Sequence, residues 1–303
     1  ARGGSNSHSE REQTLNELLV AANGSDTPDQ IIWIAATNRH DILDPAFLRR
    51  FSEQIQFALP DISQRKELLR IAVSKKEITI DDETLDEVSK STSGFSGDDI
   101  AKLVNGACLE AGRNQRETVI PDDFTDALDK KLMGIERKGL MTIMNEEERM
   151  RTAVHEAGHA LVTLLLEGCH PIYKATIIPH GVALGMVVSR PERDQLSRTK
   201  RQMLNDLTRI MAGHAAELVY YQDKLEVSSG PVGDIQQATK LAYAMVASYG
   251  MSDIGYLSLN DIQKPSDTLL ESIDTQVRNL IRESQVKAHS LIIENRTAWQ
   301  KIY

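Results

Sequence analysis

His155-Glu156-Ala157-Gly158-His159 lies inside the run Arg149 to Glu167, where Val154, Ala157, Gly158, Ala160, Leu161, Leu164 and Leu165 are apolar or small. The run is too long for a strand and reads as a helix that is apolar nearly all round. Two histidines at i and i+4 lie about 40° apart around a helix axis, so both imidazoles point the same way. That spacing suits two ligands of one tetrahedral Zn²⁺. Glu156 sits between them and can reach a water at the metal without ligating. Zn²⁺ lowers the pKa of such a water to about 7, and a carboxylate there can take its proton as a carbonyl is attacked. Without a metal, two imidazoles and a carboxylate inside an apolar helix are costly. Neutral imidazole is the ligating form, so the site is expected to lose metal in acid.

A catalytic zinc keeps three protein ligands. Asp234, Glu217, His214, His170 and His180 are the candidates for the third, and spacing does not rank them. Glu217 and His214 share a helix face. His170 and His180 read as loop residues. Asp234 follows Ser228-Ser229-Gly230-Pro231-Val232-Gly233 and opens a helix, where an Asp also suits the helix dipole.

Outward from this motif the chain divides. Residues 130 to 148 are charged and Met-rich and mark a boundary. Beyond it, Tyr173 to Ile178 and Leu184 to Ser189 read as two short strands around Pro179-His180-Gly181. Ser197 to Tyr221 and Asp234 to Tyr249 read as long helices. Pro265 precedes a last amphipathic helix with Leu269, Ile273, Val277, Leu280 and Ile281 inward. Before the boundary, Ser63 to Asp129 is helical in pattern, with a capping box at Ser96-Gly97-Asp98-Asp99 and Pro121 opening a helix. This predicts a small subdomain of three or four helices. Further back, Gln30 to Thr37 is apolar without alternation, as in a parallel strand buried on both faces. Phe57 to Pro60 closes a second short strand. A helix is expected over about Glu10 to Ala22.

The chain has 303 residues and 41% hydrophobic residues, which rules out wholesale disorder and suggests about two domains. A formal net charge of −9 argues against nucleic acid as partner. Two cysteines, Cys108 and Cys169, build neither a disulfide framework nor a four-thiolate zinc site. The longest apolar runs, Ile31 to Ala36 and Ala160 to Leu166, are far short of the roughly 20 residues of a membrane span. The opening Ala1-Arg2-Gly3-Gly4-Ser5-Asn6-Ser7 reads as a loop within a longer protein.

Several further blocks then fall into one order. They are Met211 to Glu217, Ser229 to Asp234 with Ala238-Thr239, Tyr249-Gly250-Met251-Ser252, Ile34 to Arg39, and Gly94-Phe95-Ser96-Gly97. With His155 to His159 they resemble the FtsH family of ATP-dependent zinc metalloproteases over almost the whole chain. Pro171 to Thr176 and Ala183 to Val187 look closest to its mitochondrial i-AAA branch. The resemblance implies an α/β fragment of an AAA+ ATPase core over residues 1–60 and an AAA+ helical lid over 61–134. A linker over 135–147 and a mostly α-helical zinc metallopeptidase domain over 148–303 follow. It implies His155, His159 and Asp234 as zinc ligands and Glu156 as general base. It implies Asn38 as sensor 1, and Arg49 and Arg50 as arginine fingers acting on the ATP of a neighbouring subunit. The family forms hexameric rings, so a homo- or hetero-hexamer fed with unfolded proteins is expected. A membrane anchor outside this chain is implied too, in the mitochondrial inner membrane or, failing that, a bacterial inner membrane or plastid.

The departures are local. Arg49-Arg50-Phe51-Ser52 is two residues shorter than the family's usual Arg-Pro-Gly-Arg-Phe-Asp and lacks the Asp. Pro231 and Val232 stand where small residues are usual, and His214 and His180 where arginines are. No phosphate-binding G-x-x-x-x-G-K-[ST] loop occurs, so ATP and Mg²⁺ are expected only in the full-length protein. Two other readings compete: a degenerate ring subunit using zinc structurally as a scaffold or chaperone, and a bundle docking partners through its C-terminal helix.

Overall fold

The computed structural model describes residues 14, 17, 32–39, 42–181, 183–191, 194, 195, 197–259, 262 and 264–303. It divides into two units, Ala1–Ala58 and Leu59–Tyr303. In the first, helix α1 (Pro45–Leu48) is started by Asp44, whose side chain accepts from the Ala46 N–H, with proline at the first helical position. Phe47 and Phe51 meet edge to face behind it. The strand expected over Gln30 to Thr37 is not formed in its described part: residues 32–37 carry no strand, and Ile34 is 88% exposed. The second expected strand also fails, with Phe57 90% exposed. A segment apolar on both faces gains by pairing only when strands flank it and layers cover it. Among the described residues no strand lies beside either segment. Of the helix expected over 10–22, only Thr14 and Glu17 are described, both helical; the rest lies outside the described residues.

The second unit begins with four helices: α2 (Ile62–Ser74), α3 (Asp82–Ser91), α4 (Gly97–Arg113) and α5 (Pro121–Met133). Their starts follow the sequence closely. Asp61 and Gln64 form a capping box on α2, Ser96 and Asp99 form another on α4, and Pro121 opens α5. Leu69, Ile100, Leu103, Val104 and Phe124 close one core between them. A short helix, α6 (Lys138–Ile143), leads into α7 (Glu146–Leu165), which carries the metal motif and starts on an Asn145–Glu148 capping box.

Strands β1 (Ile172–Thr176) and β2 (Met186–Ser189) pair antiparallel, with Lys174 opposite Val188 and Thr176 opposite Met186. Their connection is fastened to the segment before α6. Arg137 N–H donates to the Pro179 carbonyl at 2.7 Å and Gly181 N–H to the Ile135 carbonyl at 3.2 Å. Gly134, at φ +87°, makes the turn that allows this approach. The strands are also tied to the four-helix unit, where the Asp129 carboxylate accepts from Tyr173 Oη and Lys174 Nζ, both at 2.7 Å.

Helices α8 (Lys200–Ile210), α9 (Ala212–Tyr221), α10 (Val232–Ala247), α11 (Asp267–Glu294) and α12 (Arg296–Trp299) complete the fold. The single helix expected over 197–221 is instead two, broken at Met211. The break turns a face of small residues, Ala212 and Ala216, onto Gly158 of α7. An added Cβ on Gly158 would stand 2.5 Å from Ala216 Cβ and 2.6 Å from the Ala212 carbonyl oxygen, so only glycine permits this crossing. The α11 stripe begins after Ser266 and buries Ile273, Val277 and Leu280 against α8 and α10. That stripe is core, which removes the expectation of a partner-docking face there. No helix among the described residues is long and apolar enough to cross a membrane.

Candidate metal centre

Helix α7 brings His155 and His159 to the floor of a cleft of about 880 Å³. Asp234, in the first turn of α10, meets them from across the cleft. Its Oδ2 lies 3.1 Å from His155 Nε2 and 3.2 Å from His159 Nε2, and the two Nε2 atoms are 3.1 Å apart. These three are the group of potential ligand atoms that converge on one point among the described residues.

The outer nitrogens decide what the inner ones offer. His159 Nδ1 lies 2.8 Å from the Arg209 carbonyl oxygen, which can only accept, so the ring proton is there and Nε2 presents a lone pair. His155 Nδ1 lies 2.8 Å from Glu217 Oε1. Glu217 is 1% exposed and also accepts from the Ser228 N–H at 2.9 Å. Its ionised form therefore holds the His155 proton on Nδ1 and turns Nε2 inward. Two imidazole lone pairs and a carboxylate oxygen then face one point. Tetrahedral Zn²⁺ with Zn–N bonds of about 2.0–2.1 Å separates its ligand atoms by about 3.3–3.4 Å. The observed spacings of 3.1–3.2 Å come within a few tenths of an ångström of that.

Without a metal, one proton fills the same place. Burial works against the charged form of His155, yet Asp234 and Glu217 on its two nitrogens outweigh this and push its pKa up to about 9. Burial would likewise raise Asp234, but the proton that His155 shares with it and the nearby imidazoles hold its carboxyl well below the usual range. Glu217 is also drawn down, burial being outweighed by the His155 ring and the Ser228 amide. A cation bound at this point takes the place of that proton.

Glycines set the tolerances. A Cβ on Gly213 would stand 2.3 Å from His155 Nε2 and 2.4 Å from Cε1, so α9 touches the imidazole with its bare backbone. Gly185, just before β2, does the same over Glu156, where a Cβ would lie 2.8 Å from Cγ. The Glu156 carboxylate lines the cleft and has no hydrogen-bonding partner among the described residues. Burial raises its pKa.

The structure thus joins four of the expected site residues, His155, His159, Asp234 and Glu156, in one cleft. Glu217 lies behind His155 rather than among the three converging atoms. His214 turns away to Gln285, His170 lines a neighbouring cavity, and His180 is buried with its Nδ1 on the Ile178 carbonyl. Asn38, Arg49 and Arg50 are exposed in the first unit. The sequence reading missed the Arg209 carbonyl, Gly213 and Gly185. A signal for Glu217 was present: it is the one acid in the otherwise small and apolar run 211–220, besides His214.

Residues 142–303 match Peptidase family M41, residues 1–59 match the ATPase family associated with various cellular activities (AAA), and residues 82–126 match the AAA+ lid domain. In chain order these are an AAA+ ATPase core segment, a helical lid and a mostly helical M41 peptidase domain. The ATP-dependent zinc metalloprotease FtsH of Neorickettsia risticii (strain Illinois) is 45% identical over 301 residues, 97% of this chain and 46% of that protein. The protein of the same name from Aquifex aeolicus (strain VF5) is 41% identical over 295 residues, 93% of this chain and 46% of its own. That of Cupriavidus metallidurans (strain ATCC 43123 / DSM 2839 / NBRC 102507 / CH34) is 41% identical over 308 residues, 97% and 46%. The chain spans about half the length of the curated relatives it matches.

Proposed function

Because this chain belongs to peptidase family M41, we propose that it is the peptidase part of an ATP-dependent zinc endopeptidase that cuts unfolded or membrane-associated proteins. One observation carries the reading: three lone-pair atoms within 3.2 Å of one another stand beside a half-buried carboxylate, without a hydrogen-bonding partner among the described residues, in an open cleft. A structural metal needs no such carboxylate, which favours the enzyme over a scaffold.

His155, His159 and Asp234 would hold the ion. Bound there, Zn²⁺ would supply Lewis acidity, polarising a peptide carbonyl and acidifying water. The remaining work falls to side chains. Glu156 accepts the proton of the attacking water on its carboxylate and delivers it to the departing amide nitrogen. Its raised pKa suits both halves of that transfer at neutral pH. Glu217 and the Arg209 carbonyl keep the two imidazoles turned. Strand β2 leaves one edge without a strand partner among the described residues, and Met186 and Val187 line the cleft. A substrate adding to that edge would be held by its main chain, with little demand on sequence. Backbone-methylated peptides binding as well as unmethylated ones would remove this part of the reading.

The wider protein follows the family. A ring of six subunits, residues 1–60 and 61–134 as core and lid, Asn38 as sensor 1, and Arg49 and Arg50 reaching a neighbour's ATP make up the proposed motor, with Mg²⁺ and ATP bound elsewhere in the full-length chain. The blocks 171–176 and 183–187 support the i-AAA branch and hence the mitochondrial inner membrane. The test is Glu156→Gln: cleavage of an unfolded protein is expected to vanish while bound zinc and thermal stability stay. Undiminished cleavage by the variant would overturn the assignment.

A further inference from the structure

Beside the metal cleft lies a second cavity of about 460 Å³, and Arg209, Ile210 and Gln237 line both. The other walls of the second cavity are His170, Arg198, Asp206, Lys240 and Leu241. Three permanent cations and an imidazole therefore face one carboxylate, in a chain of net charge −9. That carboxylate is already shared. Asp206 pairs with Arg198 and lies 3.6 Å from Arg209 Nε. Lys240 is exposed and has neither a hydrogen bond nor an ion pair among the described residues. The surplus is positive, and it borders the cleft that holds Glu156.

Distance fixes where along a peptide this charge would act. Gln237 and Lys240 lie three and six residues after Asp234 on α10, about 4.5 and 9 Å along its axis. An extended chain advances about 3.3 Å per residue. The cavity is thus about one to three residues from the bond that Glu156 addresses.

We infer that this cavity is a carboxylate subsite, taking an Asp or Glu side chain, or a free C-terminus, about one to three residues from the scissile bond. The inference rests on the peptidase reading and names part of its substrate class. Main-chain pairing to β2 would leave most positions undiscriminated, with one position favouring an acid.

The test uses the zinc-loaded Glu156→Gln chain and fluorescence anisotropy. The probe is a labelled peptide without other charges, with its C-terminus amidated, into which one Glu or one Gln is placed at each position in turn. At one position the Glu peptide is expected to bind roughly five-fold tighter than its Gln twin at low salt, and the gap to close at high salt. Adding Lys240→Glu is expected to erase or reverse the preference. A preference gained only by a free C-terminus assigns the cavity to chain ends; one gained by internal Glu assigns it to side chains. Equal binding of Glu and Gln peptides throughout, with no gain from a free terminus, overturns the subsite. A preference untouched by Lys240→Glu overturns it too. Cleavage of the same peptides by the unsubstituted chain is read separately. Preference without cleavage would sink the peptidase reading alone, and cleavage without preference the subsite alone.

Discussion

Gly213→Ala strikes the metal centre through its closest backbone contact. The position is helical and α9 backbone remains sound, so the substitution by itself should stabilise that helix by about 1 kcal/mol. The new methyl carbon, however, would stand 2.3, 2.4 and 2.6 Å from His155 Nε2, Cε1 and Cδ2. Ordinary van der Waals contact begins at 3.4 Å, so ring and helix must separate by about 1 Å. The imidazole has little room behind it, being held by Glu217 at 2.8 Å. Zinc sites tolerate ligand displacements of only about 0.2 Å. A shift several times larger removes His155 as a ligand, a greater injury than the 10–100-fold cost typical of losing an orienting partner. Zinc affinity should therefore fall at least a hundred-fold, measured by competition with a chromophoric chelator. The metal-free melting temperature should fall too, because overpacking of about 1–3 kcal/mol outweighs the gain in helix propensity. Zinc affinity within three-fold of the parent would refute the reasoning, because the ligand atoms would then not lie where the structure puts them.

Three further substitutions probe the surroundings. Glu217→Gln keeps the shape but lets the His155 proton choose the wrong nitrogen; zinc should weaken about 10–100-fold with the metal retained at saturation, read by the same competition. Gly158→Ala forces α7 and α9 apart and should cost about 1–3 kcal/mol in urea unfolding. In the lid, buried Asp123 accepts from both Arg116 guanidinium nitrogens and from the Ile120 N–H, and Arg116 above all holds its carboxyl below the usual range. A depressed folded pKa contributes stability that is full above the unfolded value of about 3.9 and is lost as pH falls through the folded one. Asp123→Asn should cost about 1–3 kcal/mol at pH 7 and proportionately less as the parent is acidified, followed by lid unfolding against pH; a cost independent of pH would contradict the ion pair.

Much of the architecture is carried by local signals. The capping boxes at Asp61, Ser96 and Asn145, the proline at 121 and the stripe on α11 all act within one turn of themselves, and each is legible as a pattern. What depends on packing was not. The break at Met211 serves the contact of α9 with Gly158, some fifty residues away in sequence. The apolar run before Asn38 signals a buried strand, but burial needs neighbours, and in the described residues it lies open. The site divides in the same way. Two ligands four residues apart on one helix are a sequence pattern; Asp234 is brought up by tertiary structure, and the residues alone ranked it no higher than Glu217 or His214. Only the geometry separates the carboxylate that faces both Nε2 atoms from the one that takes the Nδ1 proton.

The central claim is that His155, His159 and Asp234 hold one metal ion. Elemental analysis of the chain purified without chelator, beside its Asp234→Asn variant, tests it most directly. About one zinc per chain, lost or much weakened in the variant, is the predicted result. A parent that carries no zinc and takes up none, or a variant that holds it as tightly, would contradict the account.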